Sequence, residues 1–289
     1  DMVLYEYIFH NVEDYKLMDG DFGWNYLTYF LSLIGGTQLY FLVITFLTCF
    51  FYFYSSYRFS KLFGFNFYVL VYFVCISPFL FGNLTNVIRS GLALSLVFYS
   101  LTLSGNKRLL VYVLCFSIHS SVLLPLVAFE VSRVFSGKYF AFILLWVFIL
   151  LLSVLGLNQA ISNALSPYLG EKFSSYLNLD ATLFGGNWGF RWDFVALSIM
   201  LIALSSYSLN FRYSKILAKL LITFLISNSF WLLVITIPFS DRFFQLSMFL
   251  YGIIFYISIE NLKGNPLYRS LSTFSLLCLN ALFIFLYIR

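Results

Sequence analysis

Residues 109–131, LLVYVLCFSIHSSVLLPLVAFEV, decide how the whole chain is threaded. The stretch is long enough for one membrane span with His119 at its middle, since a bilayer-crossing helix needs roughly 20 apolar residues. It also reads as two half-length segments, 109–118 and 120–132, that meet in a tight hairpin at His119. The choice between these readings flips every later loop to the other side of the membrane.

That the chain lies in a membrane follows from its composition. It is 61% hydrophobic and only 10% charged, with a mean hydropathy of +0.90. A soluble domain carries about 25% charged residues, so water is not its main solvent. Its long apolar runs show no two-residue alternation, which excludes a transmembrane barrel and leaves helices. Ten apolar segments stand out: 38–57, 67–81, 88–103, 109–118, 120–132, 139–157, 193–209, 216–238, 243–259 and 271–288. The expected fold is therefore an all-α polytopic membrane protein forming one transmembrane domain over 1–289, with about ten segments. Cys49, Cys75, Cys115 and Cys278 all fall inside apolar runs, without metal-ligand spacing, and read as small packing residues.

Charge chooses the threading. With a hairpin at His119, one side receives Arg58, Lys61, Lys107, Arg108, Arg133, Lys138, Arg212, Lys215, Lys219, Lys263 and Arg269, eleven of the 17 basic residues, and of the acids only Glu130 and Glu260. A fused span would scatter these basic loops over both sides. The positive-inside rule favours the hairpin and makes the basic side cytoplasmic. Residue 1 then lies outside, and the reading expects a further span upstream of it.

The outer side carries the informative segments. Residues 1–37 hold an acidic stretch and then Trp24, Leu27, Phe30, Leu31 and Ile34 at helical spacing, with Asn25, Thr28 and Ser32 between them. This pattern predicts a helix lying in the membrane interface. Residues 158–192 form the longest loop, broken by Pro167 and Gly185-Gly186. A loop of that length in a compact protein is often functional.

Three arginines sit on the outer side, where the positive-inside rule disfavours them: Arg89, Arg191 and Arg242. Each begins a helix that runs inward. A helix N-terminus already carries about half a positive charge, so a cation there is locally unfavourable unless an anion offsets it. Guanidinium forks and helix N-termini both bind phosphate well. Singly, each arginine reads equally as a headgroup anchor or as the partner of Asp193 or Asp241, which also read as N-caps. Together they point to a diphosphate-bearing ligand. His119, followed by Ser120 and Ser121, reads either as a polar turn capped by Ser120 or as a base or phosphate donor. Asp19-Gly20-Asp21 reads as a solvated acidic turn, or as an Asp-x-Asp pair that holds a divalent cation or deprotonates a hydroxyl. No phosphate-binding loop, dinucleotide fingerprint, zinc helix or nucleophile elbow is present, and Asn83-Leu84-Thr85 matches a glycosylation sequon.

These residues resemble a family. Asn86-Val87-Ile88-Arg89-Ser90-Gly91-Leu92-Ala93, the basic turn Lys107-Arg108, and Phe116-Ser117-Ile118-His119-Ser120-Ser121 are similar to the EpsG-like branch of the Wzy polysaccharide polymerases. Its pattern is roughly Ile-Arg-Gln-x-Leu/Ile-Ala, then a helix hairpin ending in Phe-His-x-Ser; Ser90 stands where that Gln is usual. Asp21-Phe22-Gly23-Trp24-Asn25-Tyr26 resembles the family's first outer loop. Glu171-Lys172-Phe173-Ser174-Ser175-Tyr176 resembles its long-loop segment, and Asp241-Arg242-Phe243 its late arginine.

The resemblance implies a GT-C-like fold that joins undecaprenyl-diphosphate-linked oligosaccharide repeats into surface polysaccharide (O-antigen, capsule or exopolysaccharide). The reaction would run at the outer face of the bacterial plasma membrane, inverting the anomeric carbon without a covalent sugar–enzyme intermediate. Arg89, Arg191 and Arg242 would bind the diphosphate, and Asp21, His119 or Asp193 would take the acceptor proton. Lys172 would join them in binding substrate, and Tyr168, Tyr176, Trp188 and Trp192 would stack on sugar rings. No cofactor is required by this reading, although a divalent cation at Asp19 and Asp21 fits it. Expected partners are the lipid-linked donor and acceptor, membrane lipid, a chain-length regulator and a flippase, with no nucleic acid. Rival readings are an O-antigen ligase, a membrane acyltransferase, and a polysaccharide flippase or transporter.

Overall fold

A computed structural model describes residues 2–12, 21–169, 190–237, 239–266 and 268. Every regular element among these is helical, as expected where only a helix can satisfy its own backbone in lipid. Five helical runs are long and apolar enough to cross a membrane: Thr37–Phe63, Ser120–Val154, Trp192–Phe211, Lys215–Leu233 and Ser240–Asn261. The pair Phe67–Cys75 and Phe79–Thr85, bent by 64°, would make a sixth. The protein is thus a multi-pass helical membrane protein, with fewer spans among the described residues than the ten segments expected.

The difference has local causes. Ile88–Ser100 and Gly105–Ile118 are helices of 13 and 14 residues. At 1.5 Å per residue they are about 20 Å long, short of a hydrocarbon core of roughly 30 Å. The expected segments 120–132 and 139–157 join in one helical run of 35 residues, interrupted only by a 3₁₀ turn at Ser136–Lys138. The segment 271–288, which includes Cys278, lies outside the described residues. His119 is a break, not the middle of a helix. Its backbone is extended (φ −155°, ψ 106°), which ends Gly105–Ile118 and leads into the 3₁₀ turn Ser120–Val122 and the helix Leu123–Phe135.

The chain divides into two compact units, one running to Leu126 and the other Val127–Asn265. In the first, Ile88–Ser100 packs against Thr37–Phe63 and against Pro78–Thr85. Gly91 makes the second contact possible: a Cβ there would sit 2.2 Å from the Asn83 carbonyl oxygen, so only glycine lets the backbones of Ile88–Ser100 and Pro78–Thr85 meet. Asn83 is fully buried and donates to the Tyr52 hydroxyl at 3.3 Å, which leaves the sequon asparagine no room for a glycan. Arg58 Nε donates to Thr102 Oγ1 at 3.1 Å and its guanidinium lies over Tyr99, tying the opposite end.

The helix expected after the acidic stretch forms over Phe22–Ile34, and the polar positions Asn25 and Thr28 lie on its protein-facing side. Trp24, Asn25, Thr28 and Leu31 are buried, while Phe22, Tyr26, Phe30, Leu33 and Ile34 are exposed. Where the solvent is lipid, aromatic residues lose little by facing outward, and polar ones gain from protein partners.

The second unit is held by polar contacts between apolar helices. Trp146 Nε1 donates to Asn228 Oδ1 at 2.8 Å, and Asn228 Nδ2 donates to Ser247 Oγ at 3.0 Å. Ser153 Oγ donates to the Leu232 carbonyl at 2.7 Å, Asn158 Nδ2 to Thr236 Oγ1 at 3.0 Å, and Thr223 Oγ1 to Ser132 Oγ at 3.2 Å. Ser205 and Ser258 pair at 3.1 Å. Each such contact is worth about 0.6–2 kcal/mol between membrane helices. The lipid-facing side of Tyr139–Val154 shows Phe140, Leu144, Phe148 and Leu151, while Trp146 and Ser153 turn inward.

Candidate active site

Two groups of side chains combine charge, burial and chemistry, one in each unit. The first is built around Asp21, which is 1% exposed and precedes the helix Phe22–Ile34. Its own side chain does not cap that helix; its carbonyl accepts the Trp24 and Asn25 N–H groups at 3.0 and 3.2 Å. The carboxylate instead serves other segments. Oδ1 accepts the Ser120 backbone N–H at 2.8 Å. Oδ2 lies 3.0 Å from Arg89 Nη1 and 3.6 Å from His119 Nδ1.

Local sequence explains how these three meet. Gly23 lets the helix Phe22–Ile34 touch Gly105–Ile118, since a Cβ there would lie 2.3 Å from Ser117 Oγ and 2.9 Å from the Ser117 backbone carbon. That contact sets Asp21 beside the residues just after Ser117. The break at His119 frees the Ser120 N–H to donate outward, and Arg89 enters from the first turn of Ile88–Ser100. The turn cap expected from Ser120's own side chain is supplied by Asp21.

Burial alone would raise the Asp21 carboxyl. The nearby His119 imidazole, the Arg89 charge and the Ser120 N–H outweigh it and hold the group well below the usual carboxylate range. Asp21 is therefore a firmly ionised anchor and a weak proton acceptor. The imidazole presents Nδ1 to that carboxylate, which leaves Nε2 as the nitrogen directed away from it. Arg89 is one-third exposed, and its fork has N–H groups beyond the one facing Asp21.

The second group gathers at two helix starts. Arg191 precedes Trp192–Phe211 and grips Asp193 with both arms, Nε to Oδ1 at 3.0 Å and Nη2 to Oδ2 at 2.7 Å. Its guanidinium carbon lies 3.8 Å above the Phe194 ring. Phe194 stacks on Phe244 with centroids 4.1 Å apart and planes at 4°, and Trp231 packs 4.6 Å from Phe244. This stack joins the start of Trp192–Phe211 to Ser240–Met248, so the Asp241 charge reaches Arg191. Arg242, on the same helix, lies 4.9 Å over the Phe239 ring. The helix caps are Arg191 and Phe239, not Asp193 and Asp241, which sit within the first turns where the helix dipole favours acids.

The structure thus brings Asp21, Arg89 and His119 together, and places Arg191, Asp193 and Arg242 along one edge of the second unit. Trp192 is 59% exposed beside Phe190. Asp19, Lys172, Tyr176 and Trp188 lie outside the described residues. At Asp21 the two carboxylate oxygens face an arginine, an imidazole and a backbone N–H. Among the described residues no three His, Cys, Asp or Glu side chains converge as a metal site would require. Sequence reasoning missed the Ser120 N–H, the Phe194–Phe244 stack and Phe239. For the rings a signal exists, since each arginine stands three residues from its phenylalanine, one turn along a helix.

The family model described as the EpsG family matches residues 1–289. No curated protein and no solved structure matches significantly.

Proposed function

The chain belongs to the EpsG family, the EpsG-like branch of Wzy-type polysaccharide polymerases, and from this premise we propose that it joins undecaprenyl-diphosphate-linked oligosaccharide repeats at the outer face of the bacterial plasma membrane. Membership makes it a membrane protein of polysaccharide biosynthesis with polymerase-type activity. The donor, the outer orientation, the GT-C-like architecture and the stereochemistry are our reading.

The observation that carries it is the arrangement of His119 and Arg89 around one buried carboxylate. Asp21 holds the imidazole by Nδ1 so that Nε2 takes the proton from an acceptor sugar hydroxyl. The freed oxygen attacks the anomeric carbon of the donor from the face opposite the diphosphate. The carbon–oxygen bond to phosphate breaks, configuration inverts, and undecaprenyl diphosphate leaves as the anion. The unengaged N–H groups of Arg89 lie beside the imidazole for the developing negative charge, and preorganised donors of this kind are typically a large catalytic term. In the second unit, Arg191 and Arg242 supply cationic surface for a diphosphate. A positioned general base contributes about 10²–10⁴-fold, so His119→Ala should lose activity on that scale.

Radiolabelled lipid-linked repeats, supplied to the purified protein in liposomes, test the reading. Products that lengthen while still attached to undecaprenyl diphosphate support it. Transfer of the glycan to a lipid A core, incorporation of acyl groups, or passage of unlengthened repeats across the bilayer would each replace it with a ligase, an acyltransferase or a transporter.

A further inference from the structure

Phe239 is the one non-glycine residue with a positive φ among the described residues (φ 59°, ψ 22°). Left-handed backbone is strained for an L-residue with a bulky side chain, and glycine or asparagine would avoid most of that strain. Strain of this sort persists where its surroundings over-determine it, and it concentrates at functional sites.

The surroundings here are specific. Ser240 Oγ donates to the Ile235 carbonyl at 3.0 Å, and the Ser240 N–H donates to the Ile237 carbonyl at 3.1 Å, closing a tight turn under Phe239. The Phe239 carbonyl then accepts the Arg242 N–H at 3.1 Å as the helix Ser240–Met248 begins. One turn of helix carries the arginine back over the residue that opened it, and its guanidinium settles 4.9 Å above the Phe239 ring. The neighbouring helix start has the two end residues exchanged and the acid at the same place: Arg191-Trp192-Asp193-Phe194 against Phe239-Ser240-Asp241-Arg242. In both, an arginine lies on a ring three residues away with an acid between them. A right-handed helical step brings Arg191 onto Phe194 without unusual backbone. In the reversed order the ring stands outside the helix, and the left-handed turn brings it under the guanidinium.

We propose that Phe239 is a positioning residue: its left-handed turn seats the Arg242 guanidinium on the aromatic ring and so fixes the direction in which that cation meets an anionic ligand. The proposal rests on the diphosphate-binding role given to Arg242 above. A ring orients a guanidinium by its face without supplying a counter-charge.

Three variants of the full chain in lipid nanodiscs test this. Phe239→Tyr keeps the ring, Phe239→Leu keeps bulk without it, and Phe239→Gly removes the ring and relieves the turn. Chain extension should fall roughly tenfold in the Leu and Gly variants and stay near wild type in Tyr. The Gly variant should melt no lower than the Leu variant, so that activity falls where backbone strain is relieved. A thermal-stability cycle of Phe239→Leu with Arg242→Gln reads the seat with no substrate present. Its coupling should change the folding constant roughly two- to fivefold. An additive cycle overturns the seat whatever the substrate proves to be, as does a fully active Gly variant. A coupled cycle in a protein that extends no glycan retains the seat and removes the polymerase reading instead.

Discussion

The Asp21 carboxylate accepts the Ser120 backbone N–H at 2.8 Å across 99 positions of sequence, so the turn that follows His119 is capped from the start of the helix Phe22–Ile34. The same carboxylate holds Arg89 and faces the imidazole. Three functions meet in one side chain: closing a turn, orienting a ring and fixing a cation.

Asp21→Ala should therefore lose more than an acid. It strips a half-buried guanidinium and a backbone N–H of their acceptor, a loss of about 1–3 kcal/mol by the cost of unpaired buried groups. Asp21→Asn keeps an oxygen for Ser120 and should melt between the two. Both should extend glycan poorly, because the imidazole loses its orienting charge. Melting temperatures of the purified variants, with activity measured at a temperature where all are folded, check the order.

Acid should reveal the same pairing. Asp21 ionises at lower pH in the fold than in the unfolded chain, so its contribution is complete above the ordinary carboxylate value of about 4. It is lost as the pH falls below that value toward the depressed one, since the unfolded chain then binds the proton first. Thermal melts between pH 3 and pH 6 should show a slope in wild type that is shallower in Asp21→Asn. Equal slopes would mean the carboxylate is not held as described.

Gly23 gives a steric counterpart. A methyl group there would lie 2.3 Å from Ser117 Oγ and 2.8 Å from its Cβ, and relieving the clash means moving the helix Phe22–Ile34 away from Gly105–Ile118. Overpacking of this kind costs about 1–3 kcal/mol. Gly23→Ala should lower the melting temperature, and lose activity beyond that, because Asp21 moves with the helix. Ser117→Gly should restore part of both.

Some of this was legible in the sequence and some was not. Arg89, Arg191 and Arg242 stood out because a cation at a helix start conflicts with the dipole, a local rule. His119 stood out because its flanks are too short to ignore it. What Asp21 does was hidden, because its three partners come from distant segments and only the packing allowed by Gly23 and Gly91 unites them. The inward turn of Asn25 and Thr28 was hidden for another reason: helical spacing marks two faces but not which of them meets protein when the solvent is lipid. The Arg-x-Asp-Phe and Phe-x-Asp-Arg patterns, with their ends exchanged, were readable as spacing, whereas the left-handed turn at Phe239 was not, since its side chain argues against it. The polar contacts within the second unit follow the same lesson. Serines and asparagines scattered in apolar helices become informative once Trp146, Asn228 and Ser247 are seen as one chain of hydrogen bonds.

Asn228→Leu should break that chain at its middle. It leaves the Trp146 Nε1 and the Ser247 hydroxyl, both buried, without their shared partner, which costs about 1–3 kcal/mol. Asn228→Leu paired with Trp146→Phe should recover part of the loss, because two apolar replacements leave one fewer orphaned donor. Detergent or nanodisc melting curves of the single and double variants decide it.

The roles of Arg191 and Asp193 separate by substitution. Asp193 is gripped by both arms of Arg191, so its acceptor capacity is committed to the guanidinium, and a hydroxyl proton has a better acceptor in His119. If Asp193 only orients the arginine, Asp193→Asn should keep chain extension within about tenfold of wild type, well short of the 10²–10⁴-fold loss expected of a missing general base. Arg191→Lys should do worse than Asp193→Asn, because an ammonium can neither span both carboxylate oxygens nor stack on Phe194 with a planar face. Expression and melting temperature need to stay near wild type for the comparison to speak of chemistry. A complete loss of extension in Asp193→Asn, with Arg191→Lys active, would reverse the assignment and return Asp193 as the base.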